Sequence, residues 1–356
     1  MPTEIELLRD LVAIPSVSGT EDAVARFLAD TARRARLDAV RDDASVTLSI
    51  DSGRPGPTLA FISHLDVVPP GEGWTRDPFV PAVEGDRLYG RGSGDAKASV
   101  AAMTLAAADV AGGLERGRLL VIMGYGEETR HTTMGAAVAR AGAVNAAVVG
   151  EPTNLQVAVA QRGLMMADLI GRGDQRHAGY ADEDGEFTNA ITALARDLAR
   201  LDGVVSERTH PILGVTTVTP TMLSAGVSRN VTPPAAKAVL DIRSTPAWPH
   251  DELGAALAER LECELVITSD RLVPCETPPD SALLAAIRRV RPSIRSFGSP
   301  TCSDWVFVRH ADAVKCGPGT SRRSHTPDEY VDLPEVTAAR AFYAEVVQAY
   351  LAERSV

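Results

Sequence analysis

The sequence is poor in cysteine, in positive charge and in long apolar runs, and each shortage argues against a class of protein. Its 356 residues include four cysteines, none in a C-x-x-C pairing, and a chain of this length needs no disulfide staples. The cysteines are therefore expected to be reduced, intracellular thiols. The 36 Lys and Arg residues against 47 Asp and Glu residues give a net charge of −11, which disfavours nucleic-acid binding.

No membrane association is predicted either. The first four residues lack the basic start and the apolar stretch of a secretory signal, so export is not expected. The most apolar helix-like run, residues 98–108, is too short to cross a bilayer and is rich in alanine rather than leucine. These features predict a soluble protein located in the cytoplasm.

The first part of the chain has the pattern of an α/β domain. Hydrophobic residues make up 45% of the sequence, which is ordinary for a globular protein with a substantial core. Three apolar runs, at 59–62, 119–123 and 146–149, predict strands of a sheet that is covered on both faces. An alanine-rich helix is predicted over 96–110, between the first two strands, as expected for a layered α/β fold.

The pattern changes near residue 163 and changes back near 279. Between these points short strands and helices alternate closely, which predicts a small inserted α+β domain. We therefore predict a two-domain α/β protein with a central mixed sheet in its larger domain. The predicted boundaries give one domain over 1–162 and 275–356 and the inserted domain over 163–274.

Chemically useful side chains follow the predicted strands. They are His64 and Asp66 after the first strand, Asp95 in a glycine-rich loop, Glu127 and Glu128 after the second strand, and Glu151 after the third. Taken singly, each has an ordinary alternative: a structural histidine, a helix N-cap at Asp95, a solvated turn at the paired glutamates and a surface position for Glu151.

Together these residues favour a metal centre. The carboxyl ends of parallel strands share one edge of a sheet, and acids crowded there need a cation to offset their repulsion. His, Asp and Glu suit Zn²⁺, Co²⁺ or Mn²⁺. His325, in the returning segment, would complete a site for two ions. One carboxylate has to stay unligated, because hydrolysis by a metal-bound water needs a general base.

The order of these motifs resembles that of the M20 metallopeptidase family along nearly the whole chain. The matching elements are His64-x-Asp66, Gly90-Arg91-Gly92-x-x-Asp95-x-Lys97, Glu127-Glu128, Gly150-Glu151-Pro152-Thr153 and His325-Thr326-Pro327-Asp328-Glu329. The resemblance implies two divalent ions, zinc with cobalt as an alternative. It implies that His64 and Glu151 hold one ion, that Glu128 and His325 hold the other, and that Asp95 bridges them. It also implies Glu127 as general base and Asp66 as the carboxylate behind His64.

The resemblance extends to the inserted domain and to the substrate side. Residues 173–178 resemble the segment whose histidine, here His177, reaches the partner subunit's active site in dimeric relatives and stabilises the carbonyl oxygen. The resemblance therefore implies a homodimer. It also implies that residues 1–162 and 275–356 form the catalytic, metal-binding domain and that residues 163–274 form a dimerisation or lid domain with a ferredoxin-like fold. Asn230 and Arg243 would contact the polar end of the substrate, and Gly317 would lie in a substrate-side loop. The alternatives are an exposed loop histidine for His177 and, for Arg243, an ion pair with Asp241 or another neighbour.

Stretches at 150–165, 297–304 and 316–326 look most similar to the acetylornithine deacetylase group. The first expectation is therefore a deacetylase of N-acetyl-L-ornithine in arginine biosynthesis, acting on a small N-acyl amino acid and binding neither nucleic acid nor membranes. The alternatives are a succinyl-diaminopimelate desuccinylase or a hydrolase that releases lysine or ornithine from a carrier protein. A non-catalytic metal-binding module is the alternative from outside this class. His131, which departs from the family pattern, is expected at a helix start or on the surface, with a further metal ligand as the alternative.

Overall fold

The computed structural model of the chain describes residues 2–181 and 187–352, and these form two compact units. The first unit comprises Met1–Val159, Thr277–Phe297 and Ser303–Val356, and the second comprises Ala160–Glu276 and Gly298–Cys302. Within the second unit Gln161 pairs with Cys275, and the Arg162 N–H donates to the Ser299 carbonyl. These pairings explain why the second unit extends a few residues beyond the predicted 163–274.

The described residues contain α-helices and strands that alternate along the chain. The helices are α1 (Glu4–Ala13), α2 (Asp22–Arg34), α3 (Lys97–Val110), α4 (Met134–Ala141), α5 (Ala190–Val205), α6 (His250–Arg260), α7 (Ala282–Val290) and α8 (Leu333–Leu351). The strands are β1 (Asp38–Arg41), β2 (Ser45–Asp51), β3 (Thr58–His64), β4 (Ala82–Glu84), β5 (Arg87–Tyr89), β6 (Arg118–Gly124), β7 (Ala146–Val149), β8 (Val157–Gln161), β9 (Leu164–Arg172), β10 (Thr209–His210), β11 (Gly214–Val215), β12 (Thr217–Ala225), β13 (Ala235–Arg243), β14 (Glu264–Leu272), β15 (Cys275–Glu276), β16 (Ser296–Ser299), β17 (Asp312–Lys315) and β18 (Tyr330–Asp332).

The first unit is built on a mixed sheet, which confirms the predicted fold class. Its strand order runs β1-β2-β6-β3-β7-β17-β8. The central strands β6, β3, β7 and β17 are parallel to their neighbours in this group, whereas β1, β2 and β8 pair in antiparallel fashion. Nearly every residue of β3 and β6 is buried, because helices cover both faces. The three predicted strands are present and aligned, so their carboxyl ends share one edge.

Helix α3 lies against the sheet and is buried on almost all sides. It contacts α1, α8, β3 and β6, and its many alanines allow neighbouring elements to approach closely. Its N-cap is Ala96, and no side chain caps the helix. The alternative interpretation of Asp95 as an N-cap is therefore wrong, and the Asp95 carboxylate is available for other contacts.

A small second sheet of the same unit joins distant parts of the chain. Strand β18 pairs with β5, which pairs with β4, and the register places Tyr330 opposite Tyr89. This pairing brings the segment that carries His325 next to the glycine-rich loop that carries Asp95. Because β5 and β18 lie more than 240 residues apart in the chain, their pairing is a tertiary feature.

The second unit has the ferredoxin-like arrangement predicted for the inserted domain. Its four-stranded antiparallel sheet has the order β12-β13-β9-β14, and the chain follows the sequence β9-α5-β12-β13-α6-β14. Helices α5 and α6 pack on this sheet around a separate apolar core that includes Leu240, Ile242, Trp248 and Leu253. Most residues of the edge strand β12 are exposed.

In the part of the chain that the structure describes, every helix is too short or too polar to cross a membrane.

A charged cluster between α1 and α8 predicts a pH effect on stability. The Glu4 carboxylate accepts hydrogen bonds from Thr337 Oγ1 at 2.6 Å and from Arg340 Nη1 at 3.0 Å. Burial acts to raise the pKa of Glu4, but these hydrogen bonds and the Arg340 charge together hold it below its ordinary value of 4.5. The stabilising contribution is therefore present above about pH 4.5 and is lost as the pH falls through the lower folded-state pKa.

We expect Glu4→Gln to lower the free energy of unfolding at pH 7 by about 1.5–3 kcal/mol, the usual contribution of hydrogen bonds to a charged group. The difference from wild type should shrink as the pH falls below 4.5. Urea denaturation of wild type and Glu4→Gln at several pH values measures this difference in the free energy of unfolding. Effects of pH that are common to the two proteins cancel in the difference. Asp10→Asn, at an exposed position of the same helix, is the control. A difference that is independent of pH would contradict this explanation.

Candidate metal centre

The edge of the central sheet gathers four of the predicted site residues. His64 ends β3, while Glu127 and Glu128 follow β6 by three and four residues, and Glu151 follows β7 by two. The parallel registers place His64 beside Gly124 and Ile62 beside Val149, so the three chain segments leave the sheet side by side. The sheet alone therefore brings together residues that are 87 positions apart in the chain.

Asp95 reaches the same edge because its loop is anchored by a buried ion pair. Arg91 Nη1 lies 2.6 Å from Glu329 Oε2, and both side chains are 1% exposed. The other oxygen, Glu329 Oε1, accepts hydrogen bonds from the backbone N–H groups of Gly94 and Asp95 at 3.0 and 3.1 Å. Glu329 thus fixes the loop from the returning segment. Arg91 and Glu329 both lie within the sequence motifs, but no role was predicted for either.

The predicted metal ligands form two clusters that share Asp95. In the first, His64 Nε2 lies 3.4 Å from Asp95 Oδ1 and 3.8 Å from Glu151 Oε1. In the second, His325 Nε2 lies 2.9 Å from Glu128 Oε2 and 3.6 Å from Asp95 Oδ2. The two oxygens of Asp95 therefore face different clusters, which is the arrangement of a bridging carboxylate.

The atoms of the first cluster fit a bound cation better than they fit each other. His64 Nε2, Asp95 Oδ1 and Glu151 Oε1 are buried and make no hydrogen bond with any residue that the structure describes. Buried polar atoms without partners are rare and costly, and here three of them converge on one point. Burial and the nearby Asp95 charge raise the pKa of Glu151 to about 8, although His64 opposes this. A divalent ion would satisfy all three atoms and offset the crowded negative charge.

The second cluster is more open. The His325 side chain is 52% exposed, and the residue has a left-handed backbone with φ of 64°. Its hydrogen bond with Glu128 raises the pKa of the imidazole above the ordinary value of 6.5, with burial opposing the shift. This arrangement leaves the outer side of the second cluster accessible from solvent.

Asp66 organises the site from behind the ligands. The His64 Nδ1 atom lies 3.0 Å from the Asp66 carbonyl oxygen and 3.6 Å from the Asp66 carboxylate. That carboxylate accepts hydrogen bonds from the backbone N–H groups of Glu127 and Glu128, both at 3.0 Å, and from Ser18 Oγ at 2.7 Å. Asp66 is fully buried, and this one residue supports the histidine ring through its backbone carbonyl and the turn that carries the paired glutamates through its carboxylate.

We expect Asp66→Asn to lower the apparent affinity for divalent ions by about 10–100-fold, the usual effect of changing a group that supports metal ligands. An amide has one acceptor oxygen, so it cannot accept from the Glu127 and Glu128 N–H groups as two carboxylate oxygens do. The change in affinity is measured by titrating the metal-free protein with zinc and recording the activity at each zinc concentration. Ser18→Ala removes only one of the three hydrogen bonds and should have a smaller effect. Equal affinities for wild type and Asp66→Asn would contradict this role.

Glu127 lies beside both clusters but belongs to neither. Its side chain is buried, and its carboxylate accepts no hydrogen bond from any residue that the structure describes. Burial raises the pKa of Glu127 well above its ordinary value, and the charges of Glu151 and Asp304 raise it further, whereas His64 opposes the shift. Such a carboxylate can take up and release a proton. The alternative of a solvated turn is wrong for this residue.

His131 and Asp304 lie beside Glu127 at the edge of the site. His131 Nδ1 lies 3.3 Å from Asp304 Oδ1 and 3.6 Å from Glu127 Oε1. The expectation of a helix start or a surface position for His131 is wrong, since α4 begins at Met134 and the side chain is only 14% exposed. Asp304 is buried. The only indication of it in the sequence was that it lies in the stretch 297–304, which looks similar to the acetylornithine deacetylase group.

The second unit holds three other predicted residues. The Asn230 carbonyl accepts a hydrogen bond from the Ala178 N–H, so Asn230 and His177 are neighbours within this unit, and both side chains are exposed. His177 Nδ1 accepts from the Gly179 N–H. Arg243 makes two hydrogen bonds with the Asp241 carboxylate, at 2.7 and 2.9 Å, so the ion-pair alternative for this residue is present.

Gly317 supports a metal ligand from behind. A Cβ at this position would lie 2.6 Å from the Glu151 carbonyl oxygen and 2.5 Å from Ser99 Oγ, so only glycine allows this approach. The Gly317 carbonyl accepts hydrogen bonds from the Thr153 and Leu155 N–H groups. The contacts that the structure shows for Gly317 are thus with the segment after β7.

Comparisons with known proteins agree with this geometry. A sequence model described as peptidase family M20/M25/M40 matches residues 60–349. The succinyl-diaminopimelate desuccinylase of Methylorubrum extorquens (strain PA1) is 31% identical over 386 aligned positions, covering 97% of this chain and 98% of the relative.

Solved structures show the same fold. The M20 family metallo-carboxypeptidase Sso-CP2 from Sulfolobus solfataricus has a TM-score of 0.78 at 18% identity, covering 99% of this chain and 100% of that chain. The YXEP protein of Bacillus subtilis, described as a dinuclear metal binding peptidase from the M20 family, has a TM-score of 0.73 at 17% identity, covering 98% of each chain. The family match, which spans most of the sequence, and the paired ligand clusters lead to one conclusion: this chain belongs to the peptidase family M20/M25/M40 and is a metal-dependent hydrolase.

Proposed function

We propose that this protein is an amidohydrolase that removes the succinyl group from an N-succinyl diamino acid of the diaminopimelate type. The observation that carries the substrate class is the 31% identity, over 97% of this chain, to a relative named succinyl-diaminopimelate desuccinylase. The sequence motifs favoured acetylornithine deacetylase first and the desuccinylase second. The comparison favours the second, and with it a role outside arginine biosynthesis.

Two divalent ions, with zinc as the first choice, are proposed as the cofactors. His64 and Glu151 would hold one ion, Glu128 and His325 the other, and Asp95 would bridge them. This nitrogen and oxygen ligand set suits zinc, while cobalt remains the alternative. When bound, the ions would polarise the amide carbonyl and make water more acidic.

Glu127 is proposed as the general base and then the general acid. Its carboxylate takes a proton from the attacking water, whose oxygen forms a new bond to the carbonyl carbon of the amide. It then delivers that proton to the amine nitrogen as the carbon–nitrogen bond breaks, which releases succinate and the free amine. The support for this role is its burial beside both clusters, outside either set of proposed ligands.

Substrate contacts are proposed for the exposed pair His177 and Asn230. His177 would reach the metal centre of the partner subunit and stabilise the negative charge on the carbonyl oxygen, and Asn230 would bind a substrate carboxylate. Arg243 could bind a carboxylate only by sharing its guanidinium with Asp241.

A homodimer is proposed as well, formed through the edge strand β12. Met222 and Leu223 on this strand and Val227 beyond it are 67–68% exposed, and an apolar edge strand is a ready surface for pairing. Size-exclusion chromatography with light scattering should give twice the monomer mass, and Leu223→Lys should shift it toward the monomer. A wild-type monomer at all concentrations would rule the dimer out.

The cytoplasmic location remains part of the proposal. Its support is that all four cysteines are free thiols, three of them buried, which suits a reducing compartment.

A substrate panel tests the proposed specificity. The purified protein, loaded with zinc, is assayed against N-succinyl-L,L-diaminopimelate, N-succinylornithine, N-acetylornithine and a dipeptide. We expect kcat/KM for the succinyl-diaminopimelate to exceed that for N-acetylornithine by at least about tenfold, or about 1.4 kcal/mol of transition-state binding. A preference for N-acetylornithine would restore the first sequence interpretation, and a preference for the dipeptide would reject both.

A further inference from the structure

We propose that Glu127, His131 and Asp304 form a third, weaker site for a divalent cation, and that an ion bound there inhibits the enzyme. All three residues belong to the first unit, and their ligand atoms lie within 4.8 Å of one another. The inhibition rests on the proposed role of Glu127 as general base. The binding of the ion does not.

Two of the three distances within this group are those expected between ligands of one ion. A zinc ion with ligands at about 2.0–2.2 Å in tetrahedral geometry separates those ligands by roughly 3.3–3.6 Å. His131 Nδ1 lies 3.3 Å from Asp304 Oδ1 and 3.6 Å from Glu127 Oε1. The ligand pairs of the first cluster are separated by 3.4 and 3.8 Å, so the third group resembles it in spacing and in chemistry.

Hydrogen bonding alone explains this arrangement poorly. A single N–H at His131 Nδ1 can serve only one carboxylate; it makes a long hydrogen bond of 3.3 Å with Asp304 Oδ1, while Glu127 Oε1, at 3.6 Å, lies beyond hydrogen-bond distance. The Glu127 carboxylate is buried to more than nine-tenths and accepts no hydrogen bond from residues 2–181 or 187–352. An unpartnered, buried carboxylate that faces an imidazole and a second buried carboxylate has the features of a cation ligand.

The weaker affinity and the inhibition follow from the position of the site. One of the three ligands, Glu127, lies beside two clusters that would each hold a cation. Because cations repel one another, the third site should bind an ion less tightly than the two clusters that share Asp95. An ion on Glu127 would occupy the lone pairs that have to accept the proton of the attacking water, so turnover would stop while the first two ions stay in place. Excess zinc should therefore inhibit.

Zinc binding and zinc inhibition test the proposal separately. Equilibrium dialysis with elemental analysis should show two tightly bound ions in the wild type and a third at higher zinc concentration. In His131→Gln and in Asp304→Asn the third ion should be lost while the two tight ions remain, which also shows that the variants are folded. His310→Gln, at an exposed histidine outside these clusters, is the matched control and should keep the third ion.

Activity at increasing zinc, measured with whichever substrate the protein hydrolyses, gives the second readout. The zinc concentration for half-inhibition should rise at least tenfold in His131→Gln. A third ion that persists in both variants, or wild-type activity that is insensitive to excess zinc, would overturn the proposal. A large loss of kcat in His131→Gln without any third ion in wild type would do the same, because His131 would then position Glu127. An inactive protein that still takes up the third ion would count against the proposed function only.

Discussion

Glu127→Gln is expected to lower kcat by about 10²–10⁴-fold while both tightly bound ions stay in place, because general acid–base catalysis contributes about that much. Glutamine has nearly the same shape as glutamate but cannot accept a proton from water at neutral pH. The two ligand clusters do not include Glu127, so their metal content should not change. The loss should appear in kcat and in kcat/KM together, since the interaction is made only in the transition state.

The control for this substitution is Glu115→Gln, which changes an exposed glutamate of the same unit and should leave kcat unchanged. Elemental analysis of both variants separates loss of the base from loss of metal. Wild-type turnover in Glu127→Gln with two ions bound would remove this residue from the mechanism. Low turnover together with loss of an ion would instead assign it to a metal cluster.

Removal of the metal ions is expected to abolish activity, with a fall of at least about 10³-fold, because polarisation of the carbonyl and activation of water are worth several kcal/mol. It should also lower the free energy of unfolding. An ion present at 100 times its dissociation constant stabilises the folded state by about 2.7 kcal/mol, provided that the unfolded chain does not bind it. In this protein the physical cause is the set of buried, unpartnered atoms of His64, Asp95 and Glu151, which only a cation would satisfy together.

Dialysis against a chelator, followed by activity measurements and urea denaturation, tests this expectation. Zinc added back in slight excess should restore both properties. His325→Ala offers a graded comparison, since it removes a ligand of the second cluster only and should leave one ion bound to His64, Asp95 and Glu151. Full activity after verified removal of all metal would contradict a metal-dependent mechanism.

The candidate metal ligands could be predicted from the sequence because each belongs to a local pattern. His64 and Glu151 come just after runs of buried apolar residues, and parallel strands of that kind end at a common edge. The structure brings these two residues together with Asp95, and it brings Glu128 together with Asp95 and His325. The α+β character of the second unit was also predictable, because strands and helices alternate there at short intervals, whereas its ferredoxin-like strand order was implied only by the family resemblance.

The residues that support the ligands could not be identified in this way. Arg91 and Glu329 are 238 positions apart, and their contact depends on the pairing of β5 with β18. Asp66 was expected behind His64, but its hydrogen bonds to the turn after β6 depend on the register of two parallel strands. His131 was misplaced because its partner Asp304 lies 173 positions away.

Local sequence patterns were enough to place histidine and acidic side chains at the carboxyl ends of the buried strands, and this placement indicated the metal-binding chemistry and the family. The position of Glu127, unpartnered between the ligand clusters and the pair His131 and Asp304, became visible only in the folded chain. Local polarity sets where a strand ends and which side chains lie just beyond it, whereas the buried environment of a carboxylate is made by side chains from distant segments. The sheet register and strand pairing that bring those segments together are properties of the whole folded unit.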